Sequence, residues 1–537
     1  MNANLAKTLN QQDMRPDSPT FGGWINPEHG LDEHGSAPSV LGSIWGVLWG
    51  WKAHHIPLPM DEDVLLKHAQ AAAKYSLNHQ NELGLFDLRS CNYSSSPDAA
   101  FAVHRLGLGM LLAQSYKAQL PAWQTVYTQC ETFMELAVEG IKAGGFHTPN
   151  HRWVICGALS IAKQVIPELE VEETVQSYLA EGIDVDPDGA YTEHSTGVYD
   201  AICNLCLLLT AEFGHPEVLP AVKANLNYNL HMIDANGEAE TGLSLRQDFG
   251  QRPVPLDLAA AYLYCSTFEA SPDFVQMAKV IWAGKERPGT TDLLWLAFAL
   301  NRQQIDTSNP EQLADFTKFF PHNRFWRMRK GSFSATAFSG THNLLTLNNG
   351  QAHLKGVSIS QSYFGVGRFC PETTEPDGEG VQLTSSGQGH ALHRPGYDLP
   401  TGRKMGEFYS SREERDWRRL PPAHSTLSIQ PVKDGLKLVY RTINNYPNVL
   451  VQVAFDFLPG GIWECEGGSF QPQAGQIIFL TAGFGRMYYG EDSLTIGPGS
   501  DVHRYWQMRD TPRTKDLVRV VIPLLTPVDH HFIIQSK

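Results

Sequence analysis

The sequence predicts an α+β protein of two domains: an incomplete (α/α) toroid over residues 1–320, then an antiparallel β-sandwich over 321–537. Three observations carry this. The chain has 537 residues, more than one ordinary compact domain holds. Its first part repeats apolar residues at three- and four-residue intervals through about ten segments. After His322 that period gives way to short runs that alternate every second residue.

The helical pattern covers 61–79, 98–117, 122–143, 154–165, 171–181 and 197–212, then 216–232, 256–267, 272–283 and 291–301. Pro, Gly and Asn fill the connections, as helix ends require. No fixed period recurs, which argues against a repeat solenoid. Paired helices with long aromatic-rich loops fit a toroid whose loops line one face. Strand-like runs at 333–338, 343–348, 436–442, 449–457 and 476–481 are separated by Asn349-Gly350, Asp434-Gly435, Pro459-Gly460 and Pro498-Gly499. The segment 371–403 lacks periodicity and reads as a long loop reaching over the helical cleft, with the active site expected in the cleft between the two domains.

Hydrophobic residues make up 42% and charged residues 18%, so the chain is globular rather than disordered. With 57 acidic against 42 basic residues the formal charge is -15, which argues against nucleic acid as a partner. No stretch approaches a membrane span, and the start MNANLAKTLNQQDMRPDSP lacks an apolar leader core. The expectation is a cytoplasmic protein, or a periplasmic or secreted one if a leader has been removed. Cys203 and Cys206 form a C-x-x-C inside an apolar helix with no second pair, which reads as two buried thiols. Nothing in the pattern sets an oligomeric state.

Two stretches concentrate chemistry: Thr148-Pro149-Asn150-His151-Arg152-Trp153, and Asp188-Gly189-Ala190-Tyr191 running on to His194 and Tyr199. A third carries Ser244, Arg246 and Arg252. An amide, imidazoles, a phenol and arginines suit removal of a weakly acidic proton beside a carboxylate. The carbanion must delocalise into a group that is already negative, so hydrogen bonds or cations on that group lower the barrier. A base then takes the proton and an acid protonates the leaving oxygen. Asn150 and His151 are read as preceding an apolar helix, with Pro149 fixing the turn.

In this order the three motifs resemble the helical-toroid polysaccharide lyases: heparinase II/III-like, chondroitin AC/hyaluronate lyase-like and alginate lyase-like. The resemblance covers residues 60–300 in motif and order, and the β-rich remainder in architecture. It implies a polysaccharide or oligosaccharide lyase that cleaves a 4-linked uronic acid by β-elimination to a 4,5-unsaturated uronate. Asn150 would neutralise the carboxylate, Tyr199 act as base and acid, His194 assist, and Arg246 contact the tyrosine or substrate. The spacing of His194 and Tyr199 is shorter than in the chondroitin AC type. That family's β-domain histidine has His342, His353, His390 and His393 as candidates.

Asn92, His151, Trp153 and Arg252 are candidate substrate-binding residues, and Trp24, Trp45, Trp49 and Trp51 candidate stacking platforms. Glu372, Glu375 and Asp377 lack metal-ligand spacing, so no cofactor is expected, a structural divalent ion in the β half being the open alternative. The expected partner is a uronic-acid-containing glycan, imported as oligosaccharide, with exolytic action if a loop closes one end of the cleft. The rival enzyme is an α/α-barrel glycoside hydrolase, for which Asp188, Glu193, Asp200 and Asp248 would have to supply two carboxylates. The rival non-enzyme is a glycan-binding protein.

Overall fold

The computed structural model describes residues 1–284, 289–302, 311–389, 393–507, 511 and 514–537. The chain forms two compact units, one of residues 1–233 with 237–311 and the other of 234–236 with 312–537.

The first unit is helical. In chain order its helices are α1 (Asn2–Leu9), α2 (Ser36–His54), α3 (Glu62–Asn78), α4 (Ser96–Ala113), α5 (Gln124–Ala143) and α6 (Pro149–Val165). Then follow α7 (Glu172–Leu179), α8 (Tyr199–Glu212), α9 (Leu219–Met232), α10 (Leu256–Cys265), α11 (Pro272–Trp282) and α12 (Thr290–Leu300). The even-numbered helices pack each on the next, and α12 returns against α2, so they make the inner ring of a toroid. Odd-numbered helices sit outside them, α3 on α2 and α5, α7 on α6, α9 on α8 and α11 on α10. At the seam α1 supplies only eight residues, which leaves the outer layer incomplete there.

Ring position explains composition. Outer α5 is amphipathic, burying Val126, Cys130, Phe133, Ala137 and Ile141 along one stripe. Inner α2 and α4 are covered on most sides and carry glycines where they cross. A Cβ on Gly42 would strike the carbonyl of Arg105, and one on Gly109 that of Gly42. The helices meet backbone to backbone, and only glycine permits that. This is why the sequence pattern misses α2: a run of Gly, Ser and Trp has no polar face to mark a period. Side chains cap several starts, with Asp61 accepting from Asp63 N at 3.0 Å and Ser95 from Asp98 N at 3.2 Å. Among the described residues no helix is long and apolar enough to cross a membrane. All eight cysteines are free, with Cys203 and Cys206 buried in α8.

The second unit is a sandwich. An eight-stranded sheet runs from edge strand Phe316–Phe320 through Phe325–Lys330, Phe333–Ala337, Leu345–Asn349, Ala352–Gln361, Leu450–Phe457 and Val518–Leu525 to Ile477–Phe479. Only the last pair is parallel; the others are antiparallel. The nine-stranded sheet ends at Thr373–Asp377 and carries Gly435–Thr442 and Asp529–Ser536 at its centre. Inward residues such as Phe455, Phe532, Trp463 and Leu438 form one core, with the Phe455 and Phe532 rings 5.9 Å apart. The reading of 371–403 as a long loop is corrected. Thr373–Asp377 and Gly380–Ser385 pair as an antiparallel hairpin, and Gly396–Asp398 pairs with Trp417–Arg419. The Gly- and Glu-rich turn between the first two concealed strands whose side chains are mostly polar.

Candidate active site

The N-terminal ends of α2, α4, α6 and α8 gather on one cleft of about 1000 Å³ in the helical unit, represented by Ser36, Asp98, His151 and Tyr199 on its wall. Aligned helix N-termini carry a partial positive charge, which favours an anion. Arg105 and Arg246 also line this space, as do His147, Asn92 and Trp24.

Tyr199 is the first residue of α8, half-buried, with its N–H donating to Ser195 Oγ at 3.1 Å. The guanidinium carbon of Arg246 lies 4.5 Å from the centre of its ring. Arg246 is placed there by Asp248. That carboxylate accepts from Ser195 Oγ at 3.0 Å, from Gly197 N at 3.1 Å and from Ser244 Oγ. The segment following Thr241 is thus tied to the turn before α8. A Cβ on Gly197 would meet both Asp248 and Pro253, so this turn requires glycine.

Behind the phenol lies a buried relay. Glu193 Oε1 is 3.1 Å from Arg246 Nη1, while its Oε2 accepts from Asn150 Nδ2 at 2.8 Å. Burial pushes the Glu193 carboxyl up, against the pull of Asn150 and Arg246. Burial would lower Arg246, but its hydrogen bond to Tyr199 and the charge of Glu193 outweigh it and hold the guanidinium above its ordinary value.

Asn150 is fully buried in the first turn of α6, where Thr148 takes the cap position and Pro149 the first helical one. Asn150 and His151 therefore lie inside the helix rather than before it. Both amide hydrogens of Asn150 are used, one on Glu193 and one on Thr148 Oγ1 at 3.3 Å. The amide is absent from the cleft wall, so it braces Glu193.

His151 does face the cleft, with Phe101 edge-on at 6.2 Å and His147 at 4.8 Å. Its Nδ1 is buried and has no hydrogen-bond partner among the described residues. Burial, then the neighbouring His147, brings its pKa down to about 4 from 6.5. The folded ring stays neutral where an unfolded one takes a proton. Stability from this site is complete above pH 6.5 and is lost as pH falls from 6.5 towards 4. His151→Phe should flatten that limb, read as the unfolding midpoint in urea against pH; an unchanged slope would contradict it.

The remaining candidates divide. Asn92 lines the cleft and donates to Asp98 Oδ2 at 2.9 Å. Trp24 lines it and donates from Nε1 to Thr8 O. The expected sugar contact of Trp153 is corrected: its ring is buried in α6, with the guanidinium of Arg152 4.6 Å from it. Arg252 is likewise corrected, because it is bound to Glu238 and Glu240 at 3.2 Å each. Trp45 is core, packed on Trp123 and Tyr127, while Trp49 and Trp51 sit on the far stretch of α2, off the cleft wall. His194 is half-buried at a left-handed φ of 51° and is not on the wall.

Sequence reasoning missed Arg105 and His147. A lone arginine within the apolar run of α4 was the available signal for the first, since charge on such a face needs a reason.

The four carboxylates named for a hydrolase all lie off the cleft wall. Asp200 is raised to about 7 by burial, as a general acid would be, but it is fully enclosed and holds Asn229 and Asn225. The wall's own acids, Glu33, Asp87 and Asp98, each accept a local hydrogen bond.

For a metal, Asp32, His34 and His79 bring ligand atoms within 4.8 Å of one another. Both Asp32 oxygens are already engaged, by Arg89 and by Tyr75 OH at 2.7 Å, which makes this an ion-pair network. In the sandwich, Glu372 accepts from Ser386 and Asp377 from Ser428 and Gln430. His342 lies 3.0 Å from Arg368, His353 sits in a strand and His393 beside a backbone bridge, while His390 falls outside the described residues.

No family model matches the chain, and neither does any curated protein. Among solved structures, a xanthan lyase from Paenibacillus matches with a TM-score of 0.54 at 10% identity, over 99% of this chain. The match spans only 56% of that lyase's length. The chondroitin AC lyase of Streptomyces coelicolor A3 matches over 100% of this chain and 79% of its own, at 11% identity and a TM-score of 0.49. At 10% identity the likeness to the xanthan lyase is one of fold, a ring of paired helices and a β-sandwich.

Proposed function

We propose that the protein is a lyase that cleaves a 4-linked uronic-acid glycan by β-elimination. The observation that carries this reading is the phenol of Tyr199 on the wall of a cleft ringed by helix N-termini, with the guanidinium of Arg246 across its ring. The uronate carboxylate would sit against Arg105, Arg246 and the positive helix ends, which offset the charge that builds on it as the C5 proton leaves. Tyr199 takes that proton and returns it to O4 of the leaving sugar, so the C4–O4 bond breaks and a 4,5 double bond forms. Neutral His151 lines the same wall beside the sugar. Asn150 acts through Glu193, which fixes Arg246, and His194 shapes the turn that delivers Glu193 inward.

Ultraviolet absorbance of the conjugated double bond, followed over a panel of uronate glycans, tests the reading. Arg246→Ala is expected to lower turnover by about 10²–10³-fold. Arg246→Lys should recover little of it, because lysine cannot hold Glu193 and cover the ring at once. New reducing ends without that absorbance would favour hydrolysis, and binding without either would favour a glycan-binding protein.

A further inference from the structure

The sandwich has its own basic groove, lined by residues of that unit alone. It opens along edge strand Phe316–Phe320 of the eight-stranded sheet and the hairpin turns at Glu379 and Lys433 of the nine-stranded one, with a volume of about 780 Å³. Four cations line it, Lys318, Arg329, Lys330 and Lys433, against two carboxylates, Asp315 and Glu379. In a chain of formal charge -15 that is a local reversal of sign. Asp315 accepts from Gly331 N at 2.8 Å and keeps its charge, so the lining holds four positive groups against two negative ones.

The groove is also preformed. Trp326, buried at its base, donates from Nε1 to the carbonyl of Glu379 at 2.9 Å and so ties the turn of one sheet to the edge of the other. Arg329 is held by Ala314 O at 3.2 Å and lies 5.0 Å from the centre of the half-buried Phe316 ring. Arg329 is itself buried, so the exposed Lys318, Lys330 and Lys433 carry the accessible charge beside the half-buried Phe316 ring. That pairing matches a chain alternating acidic groups with apolar pyranose faces.

We infer that this groove is a second binding site, for an acidic polysaccharide. Charge complementarity names the occupant, and the aromatic floor favours sugar rings over a bare polyanion. The site does not depend on the reaction assigned to the helical cleft, because it would hold a glycan for a lyase, a hydrolase or a binding protein alike. Its consequence is retention of long chains, which leaves short oligosaccharides unaffected.

Affinity electrophoresis of the full chain tests it, in gels containing polygalacturonate, chondroitin sulfate or hyaluronate, with dextran as the neutral control. At least one acidic polymer should retard the protein and dextran should not. Lys330→Glu with Lys433→Glu, both at exposed positions, should weaken that retardation about ten-fold and reduce its salt dependence. Phe316→Ala should weaken it with the salt dependence kept, separating ring stacking from charge. Turnover of a short oligosaccharide should be unchanged in the lysine variant; if it falls with polymer binding, the groove is not a separate site. Equal retardation of wild type and variant, or no retardation of wild type by any acidic polymer, overturns the proposal. Tighter binding of a single-stranded oligonucleotide than of every glycan overturns the choice of ligand.

Discussion

Tyr199→Phe should lower turnover of a 4-linked uronate glycan by about 10³-fold or more and leave substrate affinity and thermal unfolding nearly unchanged. The substitution removes one oxygen. The ring stays as the first residue of α8 with Arg246 4.5 Å from its centre, so packing and the cation are retained. What is lost is both proton transfers, each contributing roughly 10²–10⁴-fold in enzymes that use a positioned acid or base. Initial rates by ultraviolet absorbance and affinity by calorimetry separate the two effects. Residual turnover within ten-fold of wild type would show that another group carries the proton.

The second large effect is on stability. Asp234→Ala should cost the β-rich unit about 3–5 kcal/mol. Asp234 and Arg327 form a salt bridge with each side chain 1% exposed, and Arg327 also donates to Thr336 Oγ1 while Asn348 donates to Asp234 Oδ2 at 3.0 Å. Removing the carboxylate strands a guanidinium inside the fold, where water cannot replace its partner. Asp234→Leu with Arg327→Met should recover most of the loss, since it removes both charges together. The exposed pair Arg441–Asp529, at 56% and 69% exposure, supplies the contrast. Arg441→Ala should move stability by less than about 1 kcal/mol. Urea unfolding followed by tryptophan fluorescence reads all three, and a cost below about 1 kcal/mol for Asp234→Ala would contradict this account.

Helices and strands were legible where an element has one wet face. Helix α5 and strand Gly435–Thr442 show their periods in the sequence because solvent marks the other side. Helix α2 did not, because the inner ring covers it and glycines replace the usual apolar stripe. The hairpin Thr373–Asp377/Gly380–Ser385 was hidden for the opposite reason, a polar strand at a sheet edge with little to bury.

The site was legible as a set of segments and less so as directions. Tyr199, Arg246 and His151, from the three motifs, line one cleft together with Asn92 from a separate segment. Trp153 faces away because the helix starts at Pro149, five residues before the apolar period shows it. Residues two apart on a helix point to nearly opposite sides, of which His151 takes the cleft side. Asn150 and Arg252 are a different failure. Each has the right chemistry for a substrate, but Glu193 and the Glu238/Glu240 pair reach them first, and tertiary partners of that kind leave no mark on local sequence.

Running the reaction in H₂¹⁸O and weighing the products puts the chemistry itself on trial. Proton abstraction by Tyr199 leaves cleavage fragments that sum to the mass of the intact chain, with a double bond at one new end and no heavy oxygen beyond the exchange that every reducing end undergoes. Fragments heavier by one water and carrying ¹⁸O would mean that water attacks the glycosidic carbon, and the phenol would have no proton of that kind to take.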